Sequence, residues 1–330
     1  MTGGLVAVHA HPDDETLSTG ALLATWAAAG LPTTVVTCTR GELGEVIGAD
    51  LAHLEGDGPA LARHRERELA AALAALGGRD QVFLDQVEAA TADGSGARRF
   101  ADSGMAWAGV GQAGSLDVLP PDAFVAAPLD DAAGRLARLL RERRPSVLAT
   151  YEPGGGYGHP DHVRAHDVTM RAVVLAADPA WAPHVGLPYR TPVVLWASCR
   201  EHTLRAGYRE LADRDGTASP RAAEVGLVLP DPLGPLPSIA VPDRADDVGP
   251  EVEVDVAPVL DQLVAAMRAH STQIQAVQTF RGRDADGPVL GQYALSNAVL
   301  APILASESYR RVLGARRHDI VWPVGSRQVA

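Results

Sequence analysis

Short apolar runs alternate with amphipathic stretches along most of the chain, the pattern of strands followed by helices. Leu5-Val6-Ala7-Val8 is an apolar run of buried-strand length. The stretch after it predicts a helix running to Gly30, with Thr16 or Ser18 as its cap. Residues 33–39 are rich in β-branched side chains and predict a second strand, which completes a βαβ unit and so a parallel pair. A near-helical period over 60–76, stopped by Gly77-Gly78, predicts a helix, and Val82-Phe83-Leu84 a third strand. Residues 86–128 read as a long irregular connection, a length that is often functional in a compact domain. Further on, helix signals cover 130–143 and 201–211, and strand signals cover 147–151 and 193–197. Another helix begins after residue 162 and runs to about 177. Residues 218–250, rich in proline and aspartate, predict loops and short strands, and 252–256 alternate as a half-exposed strand. Two closing helices are expected at 258–278 and 294–313.

This alternation predicts an α/β protein: a Rossmann-like, mostly parallel sheet with helices on both faces, plus a smaller C-terminal α+β region. A catalytic domain over 1–200 is expected, with 201–330 appended on its active-site side. Composition narrows the function. A formal charge of −12 argues against nucleic acid or an anionic membrane as partner. Leu5–Val8 is too short for a signal peptide or a membrane span. Cys38 and Cys199, each within a strand-like run, read as buried free thiols of a reducing compartment, so the cytoplasm is the expected location. The chain contains no lysine, which removes Schiff-base and pyridoxal chemistry and the Walker phosphate loop. The loop at 40–48 has three glycines but no GxGxxG, so dinucleotide binding finds little support.

Two polar clusters each follow a predicted strand. The first is His11-Pro12-Asp13-Asp14-Glu15; the second runs from Glu152 through Tyr157 to His159-Pro160-Asp161-His162. Both fall at the carboxyl edge of the sheet, where open α/β folds place their chemistry. A His and an Asp three residues apart in a tight turn can converge on one metal ion, which leaves the neighbouring Asp13 free to work on water. His11 and Asp14 supply two ligands of a three-ligand site with an open position. His162 is the expected third, with His166, one helical turn on, as its competitor. Two histidines and a carboxylate suit zinc, the first expectation, and also ferrous iron.

With both stretches matched without interruption, the chain resembles the LmbE/PIG-L family of metal-dependent N-deacetylases over about residues 5–177, with a weaker match near the C-terminus. Within the family it is most similar to the branch of mycothiol biosynthesis that deacetylates N-acetylglucosaminyl-inositol. The stretches 36–39, 44–48, 102–105 and 155–162 carry that likeness. The resemblance implies His11, Asp14 and His162 as ligands, Asp13 as general base, and His159 at the oxyanion. Asp161 is close enough in sequence to orient His159 and raise its pKa. Tyr157 is either a donor to the oxyanion or a packed aromatic. The implied substrate is a neutral pseudo-disaccharide, with Arg65, Asp102, Glu45 and Met105 as candidate contacts in matching stretches. The close rival is the amidase of mycothiol S-conjugates, or another N-acetyl sugar deacetylase of the family. More distant rivals are a doubly wound nucleotide-binding protein and a carbohydrate-binding protein with a structural metal.

Overall fold

The computed structural model describes residues 4–78, 80–89, 99–109, 112–114, 116, 118–215, 221–243, 249–280, 287–313 and 320–329. Parts of the 86–128 connection and of 218–250 lie outside these. In chain order the elements are β1 Leu5–His9, α1 Asp14–Ala28, β2 Thr33–Thr37, α2 Gly58–Ala75 and β3 Asp80–Phe83. Then come β4 Ala106–Gly109, β5 Gln112–Gly114, α3 Leu129–Arg143, β6 Val147–Thr150, α4 Gly155–Gly158 and α5 Pro160–Ala177. The second half adds β7 Val193–Arg200, α6 Glu201–Arg214, β8 Ala240–Val241, β9 Val252–Asp255 and α7 Leu260–Ala269. It closes with β10 Gln275–Thr279, β11 Val289–Ala294, β12 Leu300–Leu304, β13 Ser306–Leu313 and β14 Ser326–Gln328.

Among the described residues nine strands share one sheet, in the order β14-β9-β13-β7-β6-β1-β2-β3, with β8 beside β7. The run from β7 to β3 is parallel. The central strands β1 and β6 are buried on both faces, which is why they read as nearly continuous apolar runs. Leu5 and Ala7 face a core built with α1, α2 and α7; Val6 and Val8 face the opposite core, built with α3 and α5. The chain moves outward from β1 through β2 to β3, then returns to place β6 on the other side of β1. The crevice at the carboxyl ends of β1 and β6 is therefore the topological switch point of the sheet. The two polar clusters open there.

The C-terminal third differs from the expectation at two places. Residues 294–313 form β12 and β13, not a helix: β13 pairs antiparallel with β7 and β9, inside the main sheet. Pro302 would have interrupted a helix there; it is tolerated in β12 because that strand is the edge of the three-stranded sheet β10-β11-β12. The helix expected over 258–278 ends at Ala269, and β10 begins at Gln275. Between them the side chains of residues 270–272 bind carboxylates of other helices rather than continuing α7. Both thiols are buried and free, as expected.

Candidate active site

β1 ends at His9, and the chain turns through His11-Pro12-Asp13 into α1. Asp13 is the residue that caps α1, yet its carboxylate accepts no capping bond, and its backbone sits at φ 111°. The carbonyl of Asp13 starts the helix, accepting from the amides of Thr16 and Leu17, while its side chain stays out of the cap. Asp14, one residue on, folds back so that Oδ2 accepts the His11 amide at 2.9 Å. Across the crevice β6 ends, and Gly155 takes φ 69°. That conformation aims the Gly155 carbonyl at the ring of His162, whose Nδ1–H donates to it at 3.0 Å. A Cβ on Gly155 would lie 2.8 Å from both His162 Cβ and the Val163 amide nitrogen, so only glycine fits.

These bonds decide which ring nitrogens are free. A carbonyl only accepts, so His162 carries its proton on Nδ1 and presents a lone pair from Nε2. His11 Nε2 lies 3.1 Å from Asp161 Oδ2 and 3.6 Å from Asp102 Oδ1 and is the protonated nitrogen, leaving Nδ1 bare. The two bare nitrogens face each other at 3.3 Å. Asp14 closes the triangle, with Oδ2 3.4 Å from His11 Nδ1 and Oδ1 3.3 Å from His162 Nε2. Tetrahedral ligands held ~2.0–2.1 Å from a zinc ion stand roughly 3.3–3.4 Å apart. Converging lone pairs at this spacing fit a bound cation. Burial disfavours charge on His11, but Asp102, Asp14 and Asp161 outweigh it and hold its pKa well above the ordinary value. The same carboxylates favour a bound cation in place of the second ring proton, and it is with that proton displaced that Nδ1 is bare. Other groups of donors also converge: atoms of His11, His159 and His162, and of His11, Asp102 and Asp161, lie within 4.8 Å of one another.

His159 is the cap of α5, and its Nδ1 accepts the Asp161 amide at 3.1 Å. That nitrogen therefore bears the lone pair, and the proton of the neutral ring is on Nε2. Burial, His11 and His162 push its pKa well below the ordinary value. Spacing suggested instead that the Asp161 carboxylate orients and charges His159. Asp161 touches His159 only through its backbone; its carboxylate crosses the crevice to His11 and is fixed by the Ser103 amide (2.9 Å) and hydroxyl (2.5 Å). Asp13 stands apart from the triangle. Burial raises its pKa to about 7, with Asp14 adding to the rise and Arg65 opposing it.

The remaining expected residues fall in different places. Arg65 is buried: Nη1 donates to the Gly41 carbonyl, Nη2 to the Pro12 carbonyl, and Nη2 lies 3.4 Å from the Asp13 carboxylate. Asp102 is buried as well and accepts the amides of Leu43 and Gly104. Burial alone would raise its pKa, yet His11, His159 and the Gly104 amide hold it below the usual range. Tyr157 stands edge-on to His162 with ring centroids 5.0 Å apart. Glu45 is exposed on the 41–48 loop and Met105 is half-buried. His166 turns away, donating Nδ1–H to the Tyr151 carbonyl at 2.9 Å. A cavity of about 510 Å³ opens beside Asp14, Tyr157 and His162, walled by Leu204, Tyr208, Met267 and Tyr293 among others. None of Arg65, Asp102, Glu45 and Met105 lines it.

Sequence reasoning passed over Tyr151, Ser103 and His270. Tyr151 stacks on His162 at 4.3 Å, and its hydroxyl accepts the Ala10 amide at 2.9 Å. Its position directly after a strand, before the second cluster, was the available signal. His270 had none, because its partner lies 255 residues away.

A switch-point crevice holding a metal-capable triangle beside a carboxylate that is not part of it and a neutral imidazole N–H fits an enzyme of the N-deacetylase class, working on an amide. The sequence profile of one family, described as "PIG-L: GlcNAc-PI de-N-acetylase", matches residues 6–173, and the chain belongs to that family. It is 43% identical over 313 residues to the 1D-myo-inositol 2-acetamido-2-deoxy-alpha-D-glucopyranoside deacetylase of Kineococcus radiotolerans, covering 94% of this chain and 77% of that one. It is 42% identical over 314 residues to the enzyme of the same name from Streptomyces scabiei, covering 94% and 85%. Among solved structures, GalB, the 4-carboxy-2-hydroxymuconate hydratase of Pseudomonas putida KT2440, aligns with a TM-score of 0.53 at 17% identity, covering 97% of this chain and 100% of that one. That likeness concerns the fold alone. No described helix is long and apolar enough to cross a membrane.

Proposed function

We propose that the protein hydrolyses the acetamide of N-acetylglucosaminyl-inositol, releasing acetate and the free amine, in the cytoplasm, and that its metal is zinc held by His11, Asp14 and His162. The observation that carries this reading is the triangle of bare donor atoms with edges of 3.3–3.4 Å. A dication bound there would lower the pKa of water toward ~7 and polarise the acetamide carbonyl. His159 is not counted as a ligand, because its neutral ring presents a hydrogen rather than a lone pair from Nε2.

Asp13 takes the proton as water attacks the carbonyl carbon. Its raised pKa suits that work, since a base titrating near the working pH transfers protons most effectively. The Nε2–H of neutral His159 donates to the developing oxyanion and stays on the ring, and the proton that Asp13 took from water passes to the departing amine. Tyr157, whose pKa is raised by burial and by nearby carboxylates, keeps its hydroxyl hydrogen for the same oxygen. Glu45 and Met105 are the proposed contacts to the two rings, although neither lines the cavity beside Asp14, Tyr157 and His162. Asp102 and Arg65 contribute from below, where they also hold His11 and Asp13. Residues 1–200 carry this machinery, and 201–330 pack over it. The substrate assignment leans on relatives that share 42–43% of their residues with this chain.

Acetate release from N-acetylglucosaminyl-inositol, N-acetylglucosamine and a mycothiol S-conjugate tests it with zinc-loaded enzyme. A site built around hydroxyls rejects substrates that leave its polar groups unpaired, so the pseudo-disaccharide should exceed N-acetylglucosamine in kcat/KM by at least ~100-fold. Equal turnover of the monosaccharide removes the inositol assignment; preference for the conjugate moves the chain to the amidases.

A further inference from the structure

Asp13 occupies a backbone conformation, φ 111°, that an L-residue rarely adopts and that persists only when its surroundings over-determine it. Those surroundings come from the far end of the chain. The turn after α7, His270-Ser271-Thr272, reaches Asp13 by two routes. On the first, His270 Nε2–H donates to Glu15 Oε1 at 2.8 Å, with both side chains fully buried. Glu15 Oε1 also accepts the Thr16 hydroxyl at 2.5 Å, and its other oxygen, Oε2, accepts the Asp13 amide at 3.0 Å. On the second, Glu68 of α2 accepts the Ser271 hydroxyl (2.9 Å), the Thr272 amide (2.8 Å) and the Thr272 hydroxyl (2.6 Å). Glu68 lies three residues beyond Arg65 on the same helix face, and Arg65 grips the Pro12 carbonyl and the Asp13 carboxylate. The same segment ties down the glycine loop, through the Ile47 amide to the Thr272 carbonyl at 2.9 Å.

Neither route touches the triangle of His11, Asp14 and His162. The frame is also more than is needed to end a helix: a buried His–Glu pair carries a desolvation penalty that a well-packed apolar pair would avoid. On the first route the frame places the Asp13 amide, and with it the Asp13 carboxylate.

We infer that His270 is a positioning residue for Asp13: acting through Glu15, it fixes the Asp13 backbone, so that the C-terminal third of the chain sets the alignment of the base. The inference rests on the reading of Asp13 as general base. A misplacement near 1 Å at a reacting group lowers rates on the order of 100-fold, which bounds the effect. His270→Leu should therefore lower kcat by ~10–100-fold, leave KM within about threefold and leave zinc content unchanged, because substrate and metal are held by other groups. His270→Gln, whose amide N–H stands close to the position of Nε2, should recover all but a few-fold of the loss.

The deciding measurement is a double-mutant cycle with Asp13→Ala, reading acetate release from N-acetylglucosaminyl-inositol on zinc-loaded protein. If His270 acts through Asp13, adding H270L to D13A changes the residual rate by less than about twofold; a role in general stability would multiply the two losses. Wild-type kcat in H270L, or multiplied losses in the pair, overturns the inference. A wild-type rate in D13A alone instead overturns the reading of Asp13, a distinct outcome. Should H270L fail to fold, Glu15→Gln takes its place in the same cycle, with the same non-additivity expected and the same additivity overturning it.

Discussion

Asp161→Asn separates the two partners that Asp161 could serve. The carboxylate accepts three hydrogens: Oδ2 takes the His11 Nε2–H and the Ser103 amide, and Oδ1 takes the Ser103 hydroxyl. An asparagine fits the same space. With its oxygen at the Oδ2 position it keeps the first two bonds, and its NH2 faces a Ser103 hydroxyl that can turn to accept. What disappears is the negative charge beside the proton of His11. Hydrogen bonds to charged groups contribute roughly 1.5–3 kcal/mol and are about twice as strong as neutral ones, so the substitution removes about 1–1.5 kcal/mol from the support of His11. At 1.4 kcal/mol per tenfold that is about a five- to tenfold loss of zinc affinity, near the lower end of the 10–100-fold usual for such outer partners. Competition with a chromophoric zinc chelator measures it. At saturating zinc, kcat should stay within a few-fold of wild type, since the backbone amide of residue 161 still caps His159. Unchanged zinc affinity with a kcat lowered 100-fold or more would refute this reasoning and return Asp161 to His159, where spacing alone had put it.

Three further outcomes are expected. His162→Ala should lose zinc and activity together, whereas His166→Ala should keep zinc, because its Nδ1–H is held by the Tyr151 carbonyl; elemental analysis of the purified variants distinguishes them. Gly155→Ala should weaken zinc binding by tenfold or more, since a Cβ 2.8 Å from His162 Cβ must displace either the ring or the carbonyl that orients it. The kcat/KM profile should fall with acid as Asp13 gains its proton: the group must be ionised to accept one, its carboxyl lies near 7 without metal, and a neighbouring dication can only lower it. The midpoint of that limb is therefore expected at or below about pH 7, and a midpoint clearly above it would exclude Asp13 as the titrating base.

The order of strands and helices in the first 200 residues was legible because both of its determinants are local. The β1 and β6 runs are almost wholly apolar, β2 is β-branched throughout, and the glycines at 30, 77 and 78 stop helices within a few residues of where the pattern ends. The C-terminal third was not legible in the same way. Residues 294–313 carry leucine, isoleucine and valine at positions that satisfy a helical period, and only Pro302 spoke against it. Strand β13 owes its conformation to β7 and β9 on either side, partners that begin 113 and 54 residues earlier. Local pattern cannot weigh pairing energy of that range.

The site divides along the same physical line. Two histidine-acid clusters behind two buried strands indicate where chemistry stands, because the carboxyl ends of β1 and β6 flank the only place in this parallel run where the chain reverses direction across the sheet. Which carboxylate serves which histidine is a different question. Asp161 is two residues from His159 and 150 from His11, so spacing assigns it to His159. The helix start decides otherwise. As the cap of α5, His159 needs a backbone hydrogen for its Nδ1, and the Asp161 amide supplies it; that geometry points the Asp161 side chain away from its neighbour and over the crevice. The protonation of both rings follows from this one cap: His159 becomes a neutral donor at Nε2, and His11, relieved of its Nε2 proton's demand by Asp161, offers Nδ1 to the triangle. A substitution that moved the start of α5 by a single residue would therefore alter both the metal-holding and the proton-donating halves of the site, though it touched neither ring.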